Sequence, residues 1–339
     1  MKKFILFLLI LAGVVYFYYW YVRGINLLLA EEDPMTLPPY NTFAVRLPNR
    51  PANTWAQAAT MPTERSDMGA AAIGQTIYVI GGYDALGRTL DTVEAYDVVS
   101  DKWTVAAPFP RKVSKPAVVS LDGKIFAIGG FTSVLQKATD AVFSFDPQTN
   151  SWTKLKSLPK PVGAAAATVK DGKIHVFGGF GDSQSSDRYL VYDPKKNEWT
   201  AGEALVSGRE MASAAVVQDS LWLIGGRQGS LLSVLSENLR FLESENSWEA
   251  MERLPTARAN GAAVAFKDQI IVFGGGASTS VEDVVSAYDP ANRVWRSLTK
   301  MPTPRQGCVA VVADDRIFVI GGGRQPGFSV SNLNEVVDP

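Results

Sequence analysis

The hexapeptide IYVIGG at residues 77–82 returns five times, as IFAIGG at 125–130, IHVFGG at 174–179, LWLIGG at 221–226, IIVFGG at 270–275 and IFVIGG at 317–322. Successive glycine pairs are 48, 49, 47, 49 and 47 residues apart. A tryptophan precedes each pair by 26 residues, at Trp55, Trp103, Trp152, Trp199, Trp248 and Trp295. Six landmarks locked to one period mark a repeat architecture, in which each unit is a supersecondary structure packed on its neighbours.

Other positions hold the same frame. A proline follows the tryptophan by seven at Pro62, Pro110, Pro159, Pro255 and Pro302, with Val206 breaking the pattern in the fourth repeat. An aromatic–aspartate pair comes before the tryptophan at Tyr96-Asp97, Phe145-Asp146, Tyr192-Asp193 and Tyr288-Asp289, with Phe241-Leu242 as the exception. Each unit reads as four short strands: a small apolar strand, a tight turn, the strand ending in the glycine pair, a longer polar loop, a third strand, an Asp-led turn, and the tryptophan strand. Asp122-Gly123 and Asp171-Gly172 are strong two-residue hairpin signals. Four strands in such a unit make a propeller blade, and six units predict an all-β, six-bladed β-propeller.

The double glycine, the aromatic–aspartate pair and the spaced tryptophan resemble the Kelch repeat family over roughly residues 53–339. The resemblance implies tryptophans wedged between blades and a rigid scaffold that displays binding loops. The last unit stops at Val337-Asp338-Pro339, where its third strand ends. Trp55 belongs to the missing fourth strand, so an N-terminal outer strand is expected to close the ring and remove its open edge.

Ahead of the repeats, Lys2 and Lys3 precede an uncharged stretch from Phe4 to Val22, which is 19 residues long. As a helix this just spans a hydrocarbon core of about 30 Å, and the flanking charges place the N-terminus inside. The expected organisation is a transmembrane anchor or signal segment at 1–23, a proline-bearing tether at 24–42 and the propeller at 43–339. The propeller then lies outside the cytoplasm, in the periplasm or at the cell surface. Cleavage of the segment as a signal peptide would release a secreted protein instead.

Composition narrows the functions. With 33 basic and 34 acidic residues the chain lacks the footprint of a nucleic-acid binder. Its single histidine, His175, and single cysteine, Cys308, are too few for a metal centre, and neither a metal nor a cofactor is expected. They also fall short of the ligands that copper radical oxidases, which share such a propeller, require. His175 occupies a slot held by apolar residues in other repeats and is read as packing; Cys308 is read as buried.

The candidate site lies on the face where the loop after the glycine pair and the loop after the tryptophan strand emerge. Arg65, Arg209, Arg258 and Arg305 share one repeat position at the start of the innermost strand, where Val113 and Val162 stand in the second and third repeats. Four guanidinium groups are expected to converge on the channel mouth and bind carboxylate or phosphate; alternatively, each holds neighbouring blades together by an ion pair. Tyr83, Arg227 and Arg324 follow glycine pairs on the same face and complete the ligand-binding set. Kelch propellers that bind acidic peptides look similar in using arginines from this strand start. The expected function is therefore a membrane-attached, monomeric interaction module for an acidic protein segment or an anionic glycan. The alternative is a carbohydrate isomerase resembling sialic acid mutarotases, with Glu210 or Glu64 as the acid–base group.

Overall fold

A computed structural model describes residues 54–133, 135–229 and 233–338. The expected anchor at 1–23 and tether at 24–42 lie outside the described residues. Among the described residues all regular structure is strand, and no helix is long and apolar enough to cross a membrane.

The repeat becomes six four-stranded antiparallel sheets. In the first, Gly69–Ile73, Thr76–Ile80, Val93–Asp97 and Lys102–Val105 pair in sequence order from inner to outer edge. Blades two to five repeat this arrangement from inner strands at Ala117–Leu121, Ala166–Lys170, Ser213–Val217 and Ala262–Phe266. Blade six takes Val309–Ala313, Arg316–Ile320 and Asn334–Asp338 from the end of the chain. Its outermost strand is Thr54–Gln57, in antiparallel register with Trp55 opposite Val337.

The sequence signals have local causes. Asp122 and Gly123, and Asp171 and Gly172, all take positive φ, the geometry of the tightest hairpins. The third-strand aspartate folds the outer turn: Asp97 accepts the N–H groups of Ser100 (2.7 Å) and Val99 (3.1 Å). Those donors, Ser100 first, hold the Asp97 carboxyl below its ordinary pKa. The glycine pairs answer to close approach. A Cβ on Gly129 would sit 2.2 Å from the Val162 carbonyl, and one on Gly178 would sit 2.3 Å from that of Arg209.

Three rings of hydrogen bonds bind each blade to the next. Each tryptophan indole donates to a carbonyl of the preceding linker: Trp103 to Ala59 (2.7 Å), Trp152 to Ala107 (3.0 Å) and so on round to Trp55, which donates to Thr299 (3.2 Å). The second glycine of each pair donates to the strand-start residue of the next blade, as in Gly179 N–H to Arg209 O (2.8 Å) and Gly322 N–H to Arg65 O (3.0 Å). Nearest the axis, Asp67, Lys115, Ala164, Met211, Asn260 and Gly307 all take positive φ. Their backbones form a closed collar, each N–H bonding the carbonyl of the previous blade's member, from Lys115 to Asp67 (2.6 Å) round to Asp67 to Gly307 (2.8 Å). The apolar cores lie between blades; one joins Phe109, Val113 and Phe143 to Ile80 and Val93 of blade one.

Candidate binding face

The loop face carries the expected segments, but the four arginines do not meet at its centre. Arg65 and Arg305 are 0% exposed, Arg209 1% and Arg258 2%. Each side chain turns outward along its own blade. Arg65 donates to the carbonyls of Gly81 (3.0 Å) and Thr92 (2.9 Å) and pairs with Glu94 (2.7 Å). Arg305 donates to Val319 O and Gly321 O and pairs with Glu335; Arg209 pairs with Glu237. Arg258 finds Ser286 Oγ at 2.9 Å, and burial pushes its guanidinium down to about 10. Burial likewise draws Arg65 down to about 10 against the opposing pull of Glu94. The ion pairs lie within single blades, so the expected ion pair between neighbouring blades is not formed; the carbonyls of the same residues do accept N–H bonds from the preceding blade, as those of Val113 and Val162 also do, and each guanidinium staples that linker residue to its own blade. Convergence on the mouth fails because the guanidinium satisfies carbonyls and a carboxylate inside the blade instead of facing solvent.

The two exceptions obey the same rule. The second residue of the third strand is Glu94, Ser286 or Glu335 where the strand-start residue is Arg65, Arg258 or Arg305; in blade four it is Leu239, and Arg209 takes its carboxylate from Glu237, two residues earlier. Where that residue is Val113 or Val162, the position holds Phe143 or Leu190, and each pair joins an apolar core. In these two blades the cation reappears two residues earlier, as exposed Arg111 and Lys160, at a position held by Thr63, Ser207, Thr256 and Thr303 elsewhere.

The mouth itself is stoppered. Asp67 pairs with Lys115 (3.0 Å) and accepts from Asn260 Nδ2 (2.9 Å), while Lys115 Nζ also approaches Met211 Sδ (3.4 Å). This network, drawn from blades one, two, four and five, covers a channel cavity of about 190 Å³ lined mainly by small residues of the inner strands. Cys308 lines it too, buried, with its thiol pushed up by burial.

Of the other expected site residues, Glu210 and Arg227 are brought together as a bridged ion pair, with the Glu210 side chain 4% and that of Arg227 16% exposed. Tyr83 joins blades one and six, donating to Gly327 O (3.2 Å) with its ring edge-on to Phe328 at 5.3 Å. Burial raises its phenol well above the ordinary value. Arg324 and Glu64 are exposed. His175 is buried against Tyr189, its Nδ1 2.7 Å from the Tyr189 hydroxyl, and burial lowers its pKa.

A group of exposed cations lies over blades two and three. Arg111, Lys112, Lys137 and Lys160 are exposed there, in the same loops as Leu135, which is 86% exposed, and the exposed acids of the two blades' loops are Asp140, Asp182 and Asp187. Opposite, Asp84 is paired with Arg88 and Asp283 with Lys300. These cations stand outside the expected arc through blades four, five, six and one.

The Attractin/LZTR1 β-propeller family matches residues 49–236, and a Kelch motif matches residues 257–302. Human Kelch-like protein 35 is 41% identical over 78 residues, 23% of this chain and 13% of that protein. Beta-scruin of Limulus polyphemus is 34% identical over 83 residues, 24% of this chain and 9% of its own length. The chain thus spans only a small part of these relatives. The solved structure of YjhT superposes with a TM-score of 0.71 at 20% identity, covering 82% of this chain and 95% of that one, a likeness of fold.

Proposed function

Because the chain belongs to the Attractin/LZTR1 β-propeller family, we propose that it is an interaction module that docks an acidic segment of a partner protein on its loop face. In this reading the N-terminal apolar segment anchors the chain, Thr54–Gln57 closes the ring, and the propeller lies outside the cytoplasm. The observation that carries the binding assignment is the exposed basic sector in the same loops as Leu135. Cations that are buried as staples in other blades are displaced to the surface in blades two and three, in loops that also expose an apolar side chain. Charges of this kind steer an anionic partner and set its register, while the apolar group supplies contact area. Of the two acid–base candidates for an isomerase, Glu210 is committed to Arg227 and exposed Glu64 does not line the channel cavity.

Replacing Lys112, Lys137 and Lys160 together with alanine is expected to slow association of a fluorescent decaglutamate peptide with the full-length chain about tenfold at low salt. The difference should fade at high salt as screening shortens the reach of the charges. Equal association rates at low salt would remove the basic sector from the binding face. For location, a tagged full-length chain should sediment with membranes, its propeller open to protease added from outside. Recovery of intact chain in the soluble cytosol would end that part of the proposal.

A further inference from the structure

We infer that the cleft between blades three and four on the loop face is a seat for one carboxylate, carried on an acidic side chain of the docked protein. This rests on the acidic-partner reading above and locates its anchor in a cavity whose wall, at Pro161, directly follows Lys160.

The seat arises from a rearranged staple. In blade four, Arg209 begins the blade and pairs with Glu237, which directly precedes the third strand. In blade three the corresponding residues are Val162 and Arg188. The arginine has moved from the place where it is buried to the place where blade four has its carboxylate. Among the described residues no carboxylate takes that place, and the half-buried Arg188 guanidinium has no hydrogen bond or ion pair there. Both Val162 and Arg188 line a cavity of about 150 Å³, walled further by Pro161, Gln184, Ser185 and Ser186.

The cavity is built of groups that can donate. Ser186 Oγ accepts the Arg188 N–H at 3.2 Å, and Ser185 Oγ accepts the Gly229 N–H at 2.9 Å. Each hydroxyl therefore keeps its own hydrogen to give. A short hairpin pairing Phe180–Gly181 with Gln184–Ser185 holds two of these residues in place. A guanidinium fork with two adjacent hydroxyl donors matches the in-plane oxygens of a carboxylate.

Size sets how the carboxylate arrives. The cavity holds roughly five waters at about 30 Å³ each and is half the smallest volume usual for a complete small-molecule ligand, about 300 Å³. It fits one functional group, with the rest of the partner lying across the face. Asp187 also lines the cavity and is exposed, so its charge opposes the incoming group.

The test uses the full-length chain, labelled decaglutamate and free propionate. Arg188→Ala is expected to weaken decaglutamate binding between about tenfold and a hundredfold with no change in melting temperature. Arg188→Lys should fall between the two, keeping charge but losing the fork, and Asp187→Asn should bind more tightly than the parent. Propionate should compete only in large excess. If Arg188→Ala and Arg188→Lys both bind like the parent while the lysine triple variant is weakened, the seat is wrong and the basic sector stands. Propionate binding as tightly as the peptide would make this a small-acid site and overturn the partner assignment. If the parent chain binds neither probe, the seat and the acidic-partner reading fall together.

Discussion

Arg65→Ala is expected to cost about 3–5 kcal/mol of stability, the range for removing one partner of a buried ion pair. Glu94 is 2% exposed, and without the guanidinium its carboxylate keeps only the Thr63 hydroxyl at 2.7 Å. The carbonyls of Gly81 and Thr92 lose their side-chain donor at the same time. Since a folded domain is typically stable by about 5–15 kcal/mol, the loss should be obvious in a denaturant midpoint. A second substitution separates a lost staple from a merely vacated volume. Arg65→Val with Glu94→Phe copies Val113 and Phe143 of blade two, where an apolar pair replaces the ionic one. Exchanging a buried ion pair for packed apolar groups is often neutral or better, so the double variant should recover most of the loss. Unchanged stability in Arg65→Ala would show that the pair contributes nothing to the ring, and the staple account would fail.

The same residues show what could be read in advance and what could not. The glycine and tryptophan spacings report backbone needs that recur in every blade, so periodicity alone revealed the propeller. Shared position also said correctly that Arg65, Arg209, Arg258 and Arg305 occupy one environment, but it carries no information on whether that environment faces water. The missing clue lay one strand away, in the pairing of arginine with Glu94, Ser286 and Glu335 and of valine with Phe143 and Leu190, with Leu239 in the blade of Arg209 as the exception. Two positions that change together in one chain act as contacting partners, and a contact inside the blade excludes convergence at the mouth. The stopper was beyond such reasoning, since Asp67 and Asn260 are 193 residues apart and meet only through the collar. Arg188 was overlooked because its significance depends on space left by Val162, and a cavity has no sequence signature.

Deleting the chain through Thr60 is expected to destabilise the propeller by at least about 3–5 kcal/mol, the scale of losing one large packed aromatic. Deleting it only through Thr42 should leave the melting temperature unchanged. The longer deletion removes the whole outer strand of blade six. Asn334–Asp338 would lose its register with Thr54–Gln57, leaving an unpaired edge of the kind that invites aggregation. It also removes Trp55, whose ring stands edge-on to Phe273 of blade five at 6.0 Å and whose indole holds Thr299 of the linker between those blades. Ala58, which donates its N–H to Asn334 O at 2.8 Å and is buried in the core shared by blades six and one, goes with it. Trp55→Ala should reproduce part of the loss with the strand pairing intact, which separates the contribution of the ring contact from that of the backbone ladder. The comparison is a thermal melt of the full-length chain, both deletions and the tryptophan variant at one protein concentration. Equal melting temperatures for the two deletions would mean that blade six holds without its N-terminal strand, and the ring would have to be closed by the remaining contacts between blades one and six, such as Gly322 N–H to Arg65 O and Tyr83 on Phe328.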